Sequence, residues 1–235
     1  MISYDYELIY ALGTMLGIGS RDCLLKLIHR AEVYGLDAMS TGVCLAWATE
    51  ALEKGLISEK ETLVKLQFGD HDAYLRAMDF LVDQPNDFYK HLAQGVEKTS
   101  DVYGGKEFAL AFGGNEMPGY HVGYATHLGY LMGLRHSHLD NAGYSLDQKI
   151  EGEMTPREVV DSLVKEEMWR QVLSSLVVCF FARGVYKPET VVEAFKPLGV
   201  ETSEEKLREL GREIYVEKLK LKMDMGFTLD SLRLP

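Results

Sequence analysis

Gly35-Leu36-Asp37-Ala38-Met39-Ser40-Thr41-Gly42 is the stretch from which the fold can be read. Before it, Arg21–Tyr34 places Leu24, Leu25, Leu27 and Ile28 on one helical face. After it, Ala38–Lys54 does the same with Cys44, Trp47, Ala48, Ala51 and Leu52. Gly35 tolerates the left-handed conformation that closes a helix, so the stretch is a corner between two helices. Asp37 or Ser40 at the head of the second helix fits the ordinary role of an N-cap. The same corner, with Glu32 one turn before Gly35, also offers N–H and hydroxyl donors to an anion and carboxylates to ring N–H groups. The residues of the corner alone leave both roles open, with capping the commoner one.

Working outward, the helical period persists through most of the 235 residues. Tyr6–Met15 carries Leu8, Leu12 and Met15 at helical spacing. Ser58-Glu59-Lys60-Glu61 is a capping box that opens a short helix ending by Gly69. Helices are expected over Asp70–Val82 and Asp87–Tyr103, the latter closed by Gly104-Gly105. Lys106–Asp147 differs: it is rich in glycine, holds four of the seven histidines and has poor amphipathic order, which reads as functional loop. Thr155-Pro156-Arg157-Glu158 restarts helix, with Thr at the N-cap and Pro at N1, and the pattern continues towards Phe181. Lys187–Phe195 and Thr202–Met225 complete the set, the last with Glu204 and Glu205 in its first turn, where the helix dipole favours acids. No β pattern of useful length appears. The expected fold is all-α and multihelical, two irregular helical lobes packed together, with residues 1–113 in the first domain and 114–235 in the second.

Composition narrows the function classes. Hydrophobic residues at 46% and charged residues at 26% describe a globular chain with a sizeable core. A formal charge of −11 argues against nucleic acid or an anionic membrane as the main partner. The longest apolar run, Leu176–Ala182, falls far short of the ~20 residues that span a bilayer, and Met1–Asp5 lacks the basic start of a signal peptide. Three widely spaced cysteines, Cys23, Cys44 and Cys179, fit a reducing cytoplasm. No CxxC pair is present, so cysteine alone cannot build an iron–sulfur or zinc site here.

Three groups of residues could carry chemistry. Arg135-His136-Ser137-His138-Leu139-Asp140-Asn141 would put His136, His138 and Asp140 on one face if extended, a 2-His-1-carboxylate metal set; the other reading is a hydrogen-bonded loop over a helix end. Glu7 stands in the otherwise apolar turn Tyr6–Ile9. Burial beside a reacting carbonyl would raise its pKa and suit it to proton transfer, whereas exposure would make it an ordinary surface acid. Cys179, inside Leu176–Phe181, is by default a small core hydrophobe and becomes a ligand only if other cysteines arrive from elsewhere in space.

Several segments in order resemble the C-terminal helical domains of tungsten-dependent aldehyde ferredoxin oxidoreductases. They are Tyr6-Glu7 with the following turn and Gly13, Gly35–Gly42, Leu92-Ala93-Gln94-Gly95-Val96, Gly114-Asn115-Glu116-Met117-Pro118-Gly119-Tyr120, Tyr124-Ala125-Thr126, Ser175–Phe180 and the closing Leu232–Pro235. The resemblance runs over nearly the whole chain. It implies an enzyme that oxidises aldehydes to carboxylates at tungsten, or molybdenum, held by two molybdopterins. Electrons pass through a [4Fe–4S] cluster to ferredoxin.

The resemblance also assigns roles. Each pterin is gripped by an acid, two residues, Gly-Leu, then Asp or Cys. The first grip matches Glu32, Gly35, Leu36 and Asp37. The second matches Ser174, Val177, Val178 and Cys179, with serine in place of the acid and valine in place of the glycine, so this loop is expected to differ. Cys179 would be the metal-binding residue, the fourth ligand of the cluster. The other three ligands lie, in the family, in a C-x2-C-x3-C run upstream of the Tyr-Glu segment. Glu7 would be the proton-transfer glutamate, and the histidine near the substrate carbonyl falls at His136 or His138.

The chain accordingly reads as the C-terminal part of such an enzyme, cut at both ends and inactive alone. It would hold neither cofactor without its N-terminal pterin-binding domain or subunit. Glu7, Asp37, His136 and Cys179 are expected on one concave face. Two further readings stay open: a non-catalytic helical module that docks a redox or assembly partner, and an autonomous His136/His138/Asp140 metal site. A homodimer is compatible with each of them.

Overall fold

The computed structural model describes residues 5–149, 152 and 154–232, so the final matching positions, 233–235, lie outside the described residues. The chain forms two compact units, the first running to Gly119 and the second from Tyr120 to Leu232.

In the first unit, α1 (Tyr6–Ile9) continues into a π-type turn over Tyr10–Thr14, followed by α2 (Arg21–Tyr34) and α3 (Ala38–Glu53). Then come α4 (Glu59–Thr62), α5 (His71–Asp83), α6 (Asp87–Leu92) and α7 (Val96–Tyr103). The helix α3 is the axis of this unit. Thr41 to Leu45, then Trp47 to Thr49 and Ala51, are buried, so it is apolar nearly all round, the pattern of a helix enclosed by others. Leu12, Leu27, Ile28, Tyr74 and Met78 pack around it with no exposed surface. Each such residue contributes about 1.5–3 kcal/mol by leaving water. Gly42 allows the closest approach: a Cβ there would run into the Ala11 backbone at the π-type turn. Trp47 donates from its indole nitrogen to the Gly105 carbonyl at 3.0 Å, which satisfies its polar end in the core.

Three local expectations are corrected in this unit. The capping box at Ser58 is formed, but its helix stops at Thr62, where Leu63 takes a left-handed φ of 57°. Asp87–Tyr103 is two helices, because Gly95 at φ 100° lies between them. A hairpin of two short strands, β1 (Ala111–Phe112) and β2 (Asn115–Glu116), closes through Gly113 and Gly114, both at positive φ. Two residues per strand are too few to show a periodicity of two in the sequence.

The second unit contains α8 (Tyr124–Met132), α9 (Gly143–Lys149), α10 (Pro156–Ser175), α11 (Pro188–Phe195) and α12 (Glu204–Asp224). Two of these helices lie in the stretch read as loop. Its glycines serve close packing: a Cβ on Gly143 would strike the Ala125 carbonyl of α8, and one on Gly129 the Asn141 side chain. Thr155 and Glu158 form the capping box that starts α10. This helix ends at Ser175 and does not reach Phe181. It packs on α12, where a Cβ on Gly211 would meet the Met168 carbonyl, and Val172, Val191 and Leu207 form a small core beside Trp169 and Phe195. No helix among the described residues is long and apolar enough to cross a membrane.

Candidate functional site: two helix corners

At the end of α2, Gly35 adopts φ 66° and ψ 28°. Its N–H donates to the Glu32 carbonyl at 3.2 Å, and the Leu36 N–H to that of Ala31 at 2.9 Å, which satisfies the last carbonyls of the helix. The chain then straightens through Asp37, φ −64° and ψ 120°, whose carboxylate accepts the Ser40 N–H at 2.8 Å and caps α3. Glu32 and Asp37 are both exposed on this corner.

The side of the corner that faces the protein is built around a buried acid. Glu116, from β2, accepts the Ser40 hydroxyl at 2.7 Å on one oxygen and the Val96 N–H at 2.9 Å on the other. Gly95 has to be glycine here, since a Cβ would stand 2.7 Å from the Glu116 Oε1 and the backbone is left-handed. One carboxylate therefore joins three stretches that are far apart in sequence: Gly35–Gly42, Leu92–Val96 and Gly114–Tyr120. They enclose a cavity of about 320 Å³ lined by Leu36, Asp37, Ser40, Gln94 and Glu116 among others. Cys44 also lines it, with its thiol pushed well up by burial and then by the charges of Glu116 and Asp37, so it stays protonated. In the sequence Glu116 is visible only as part of the Gly114–Tyr120 segment; its role needs the fold, because its partners lie 76 and 20 residues away.

The second corner repeats the first. Val177, at φ 57°, is the left-handed residue after α10. Its N–H donates to the Ser174 carbonyl at 3.1 Å and that of Val178 to the Leu173 carbonyl at 3.4 Å, the same i→i−3 and i→i−5 pattern as at Gly35 and Leu36. Cys179 follows with φ −73° and ψ 127°, close to Asp37, and starts a 3₁₀ turn over Phe180–Ala182. The expectation that valine would change this loop is thus corrected: the helix-closing hydrogen bonds hold valine in the glycine conformation. Cys179 is an exposed free thiol, not a core residue.

The histidine loop does not form the alternating face that a metal set would need. His136 lies at φ 54°, and its Nδ1 is within 2.9 Å of the Tyr130 carbonyl. Asp140 is fully buried and organises the turn, accepting the Arg135 N–H at 2.7 Å, the Arg135 Nε at 2.8 Å and the Ser137 N–H at 3.2 Å. His138 packs against the Tyr120 ring, centroids 5.0 Å apart. No group of three His, Cys, Asp or Glu side chains suited to a metal stands together among the described residues. The autonomous His136/His138/Asp140 site is therefore withdrawn. Glu7 sits half-buried in the first turn of α1, beneath the Asp5 cap.

Within each unit the structure places the matching residues on a helix corner: Glu32, Gly35, Leu36 and Asp37 in one, Ser174, Val178 and Cys179 in the other. These features define a multihelical protein with a duplicated corner motif. Residues 2–235 match the family model described as aldehyde ferredoxin oxidoreductase, domains 2 and 3, and the chain belongs to that family. It is 31% identical over 189 residues to a tungsten-containing aldehyde ferredoxin oxidoreductase of Thermococcus kodakarensis, covering 75% of this chain and 31% of that protein. A protein of the same description from Pyrococcus furiosus is 30% identical, with the same coverage. An aliphatic sulfonate oxidoreductase subunit of Pyrococcus furiosus, described as WOR-like, is 29% identical over 96 residues, 41% of this chain and 15% of that one. The chain thus spans about a third of the length of the tungsten enzymes it matches.

Proposed function

We propose that this chain is the helical portion of an aldehyde ferredoxin oxidoreductase-like enzyme, its two corners each gripping one molybdopterin of a tungsten or molybdenum centre. The observation that carries the reading is the shared backbone of Glu32–Asp37 and Ser174–Cys179, which is what two equivalent ligands would require. The residues suit such a group: both corners are exposed, Asp37 keeps a carboxylate oxygen beyond its cap bond to accept a ring N–H, and Cys179 offers a thiol. Bound there with a [4Fe–4S] cluster, the metal–pterin group supplies the two-electron chemistry by which an aldehyde and water give a carboxylate, three protons and two electrons for ferredoxin.

The chain's own residues would handle binding and protons. Glu32 and Asp37 accept from one pterin with charge assistance, while Ser174 accepts from the other without it, a weaker hold. Leu36 and Val178 support the ligands through the main chain that follows each left-handed residue. Glu7 takes a proton as water adds to the substrate carbonyl, and His136 or His138 orients that carbonyl. Cys179 ligates the cluster, whose three remaining ligands and the rest of the pterin cradle come from the N-terminal portion. The chain alone is expected to be inactive. The reading places the enzyme in the cytoplasm.

A second reading has its own support: Val177 and Phe181 around Cys179 are 91% and 92% exposed, and Ser174 replaces the acid, as suits a docking module without catalysis. Coexpression with the N-terminal portion separates the two. Tungsten or molybdenum, pterin and iron should copurify with the complex. A stable complex that carries none of them would overturn the enzyme reading and favour the docking module.

A further inference from the structure

A second cavity, of about 410 Å³, lies along α10, and the proposed function makes no use of it. Helical spacing puts Lys165, Glu166, Trp169 and Arg170 on this side of α10, while the segment after Cys179 contributes Arg183 and α12 contributes Arg208. Four cations thus line the cavity, against one carboxylate among the described lining residues, in a chain whose formal charge is −11.

Not all four cations are available to a ligand. Arg170 is 3% exposed and already matched: its guanidinium binds Glu166 Oε1 at 2.8 and 3.1 Å and the His138 carbonyl at 2.9 Å. That pair is fixed and neutral. Among the described residues Arg183 donates to neutral groups alone, the Phe180 carbonyl at 3.0 Å and the Tyr144 hydroxyl at 2.9 Å. Arg208 stands 3.8 Å from Glu204 in a half-exposed pair of the kind that contributes little. Lys165 has no carboxylate within ion-pair distance among the described residues. Three charges of one sign around one cavity repel each other, and a bound anion would relieve that repulsion.

The apolar part of the cavity is shaped by Trp169. Its indole nitrogen donates to the Tyr186 carbonyl at 3.2 Å, which fixes the ring plane. Trp169, Lys165 and Arg208 also line a neighbouring cavity of about 290 Å³, so the indole forms part of the wall of both. A pocket of this size, with a few convergent polar groups and one fixed aromatic wall, is the usual form of a small-molecule site.

The geometry points to a binding site for a small aromatic anion. Its carboxylate or phosphate sits among Lys165, Arg183 and Arg208, and its planar body lies against Trp169. This inference does not depend on whether the two corners hold pterins.

Trp169 and Trp47 are the two tryptophans of the chain, and Trp47 is buried in the first unit, so indole fluorescence reports on the cavity over a constant background. The full chain is titrated separately with phenyl phosphate, benzoate and their neutral counterpart benzyl alcohol. At least one anion should give a saturable change that benzyl alcohol does not. Its affinity should weaken with added salt and fall about tenfold in the exposed double variant K165Q/R208Q, the size expected for losing ~1.4 kcal/mol of attraction. That variant leaves the loop contacts of Arg183 intact, and an unchanged thermal melt confirms its fold. No saturation with either anion, an equal response to benzyl alcohol, or undiminished affinity in the folded double variant would each overturn the proposal.

Discussion

At the end of α2 the chain turns through Gly35, and at the end of α10 it turns through Val177 with the same pair of closing hydrogen bonds. The side chains differ at every position of the grip: Glu32 against Ser174, Gly35 against Val177, Leu36 against Val178, Asp37 against Cys179. The left-handed turn is imposed by the need to satisfy the last carbonyls of a helix, and glycine only lowers its cost. A β-branched residue at φ 57° costs about 1–2 kcal/mol, which the surrounding hydrogen bonds offset. The corners also differ in support. The first is tied into its unit by buried Glu116, whereas the second leaves Val177 and Phe181 on the surface, and the buried acid of its helix, Glu167, lies two turns before Ser174.

Removing the support of the first corner should have the largest effect. Glu116→Ala leaves the Val96 N–H and the Ser40 hydroxyl without their buried acceptor, a loss of about 3 kcal/mol and roughly 6–12 °C in melting temperature. A melt within a degree or two of the parent would mean that the corner stands without Glu116.

The buried acid on the second corner's helix gives a pH signature of similar size. Burial, followed by the charge of Asp140, pushes Glu167 up to about 7 from 4.5. Between those values the unfolded chain releases its proton while the folded chain retains it, so this group's stabilisation is fully present at low pH and is lost as pH rises through about 7. The loss amounts to about 3 kcal/mol. Glu167→Gln should remove this slope in urea unfolding from about pH 5 to 8; a slope unchanged in the variant contradicts the assignment.

Exchange of the turn residues tests the equivalence itself. Gly35→Val should destabilise by about 1–2 kcal/mol, from backbone strain alone, because an added Cβ meets nothing within 4 Å. Val177→Gly should stabilise slightly, by about 0.5 kcal/mol, since relief of strain exceeds the added chain entropy of glycine. Opposite signs in equilibrium unfolding support one shared conformation, and a loss of stability in both variants breaks it.

Much of the fold was legible because its signals are local. Ser58 with Glu61, Thr155 with Pro156, and Gly35 after Tyr34 each announce a helix end within four residues. The features that escaped are those in which distant segments meet. Gly129 and Gly143 read as loop residues, but they serve close contact between α8 and Asn141 and between α9 and α8. Glu116 stands in a strand too short to show, and its partners are set by the fold. The candidate site divides the same way: the first corner is visible as an acid–glycine–acid pattern, whereas the second has lost both of the residues that would mark it. It is recovered only through family resemblance and then through its backbone. The cations around Trp169 come from three separate segments, and no spacing rule links them.

The most direct test of the paired corners is the pterin content of the complex formed with the N-terminal portion. Two molybdopterins per chain are expected, falling in Asp37→Ala. A folded, metal-loaded complex with a single pterin per chain would contradict the equivalence of Glu32–Asp37 and Ser174–Cys179.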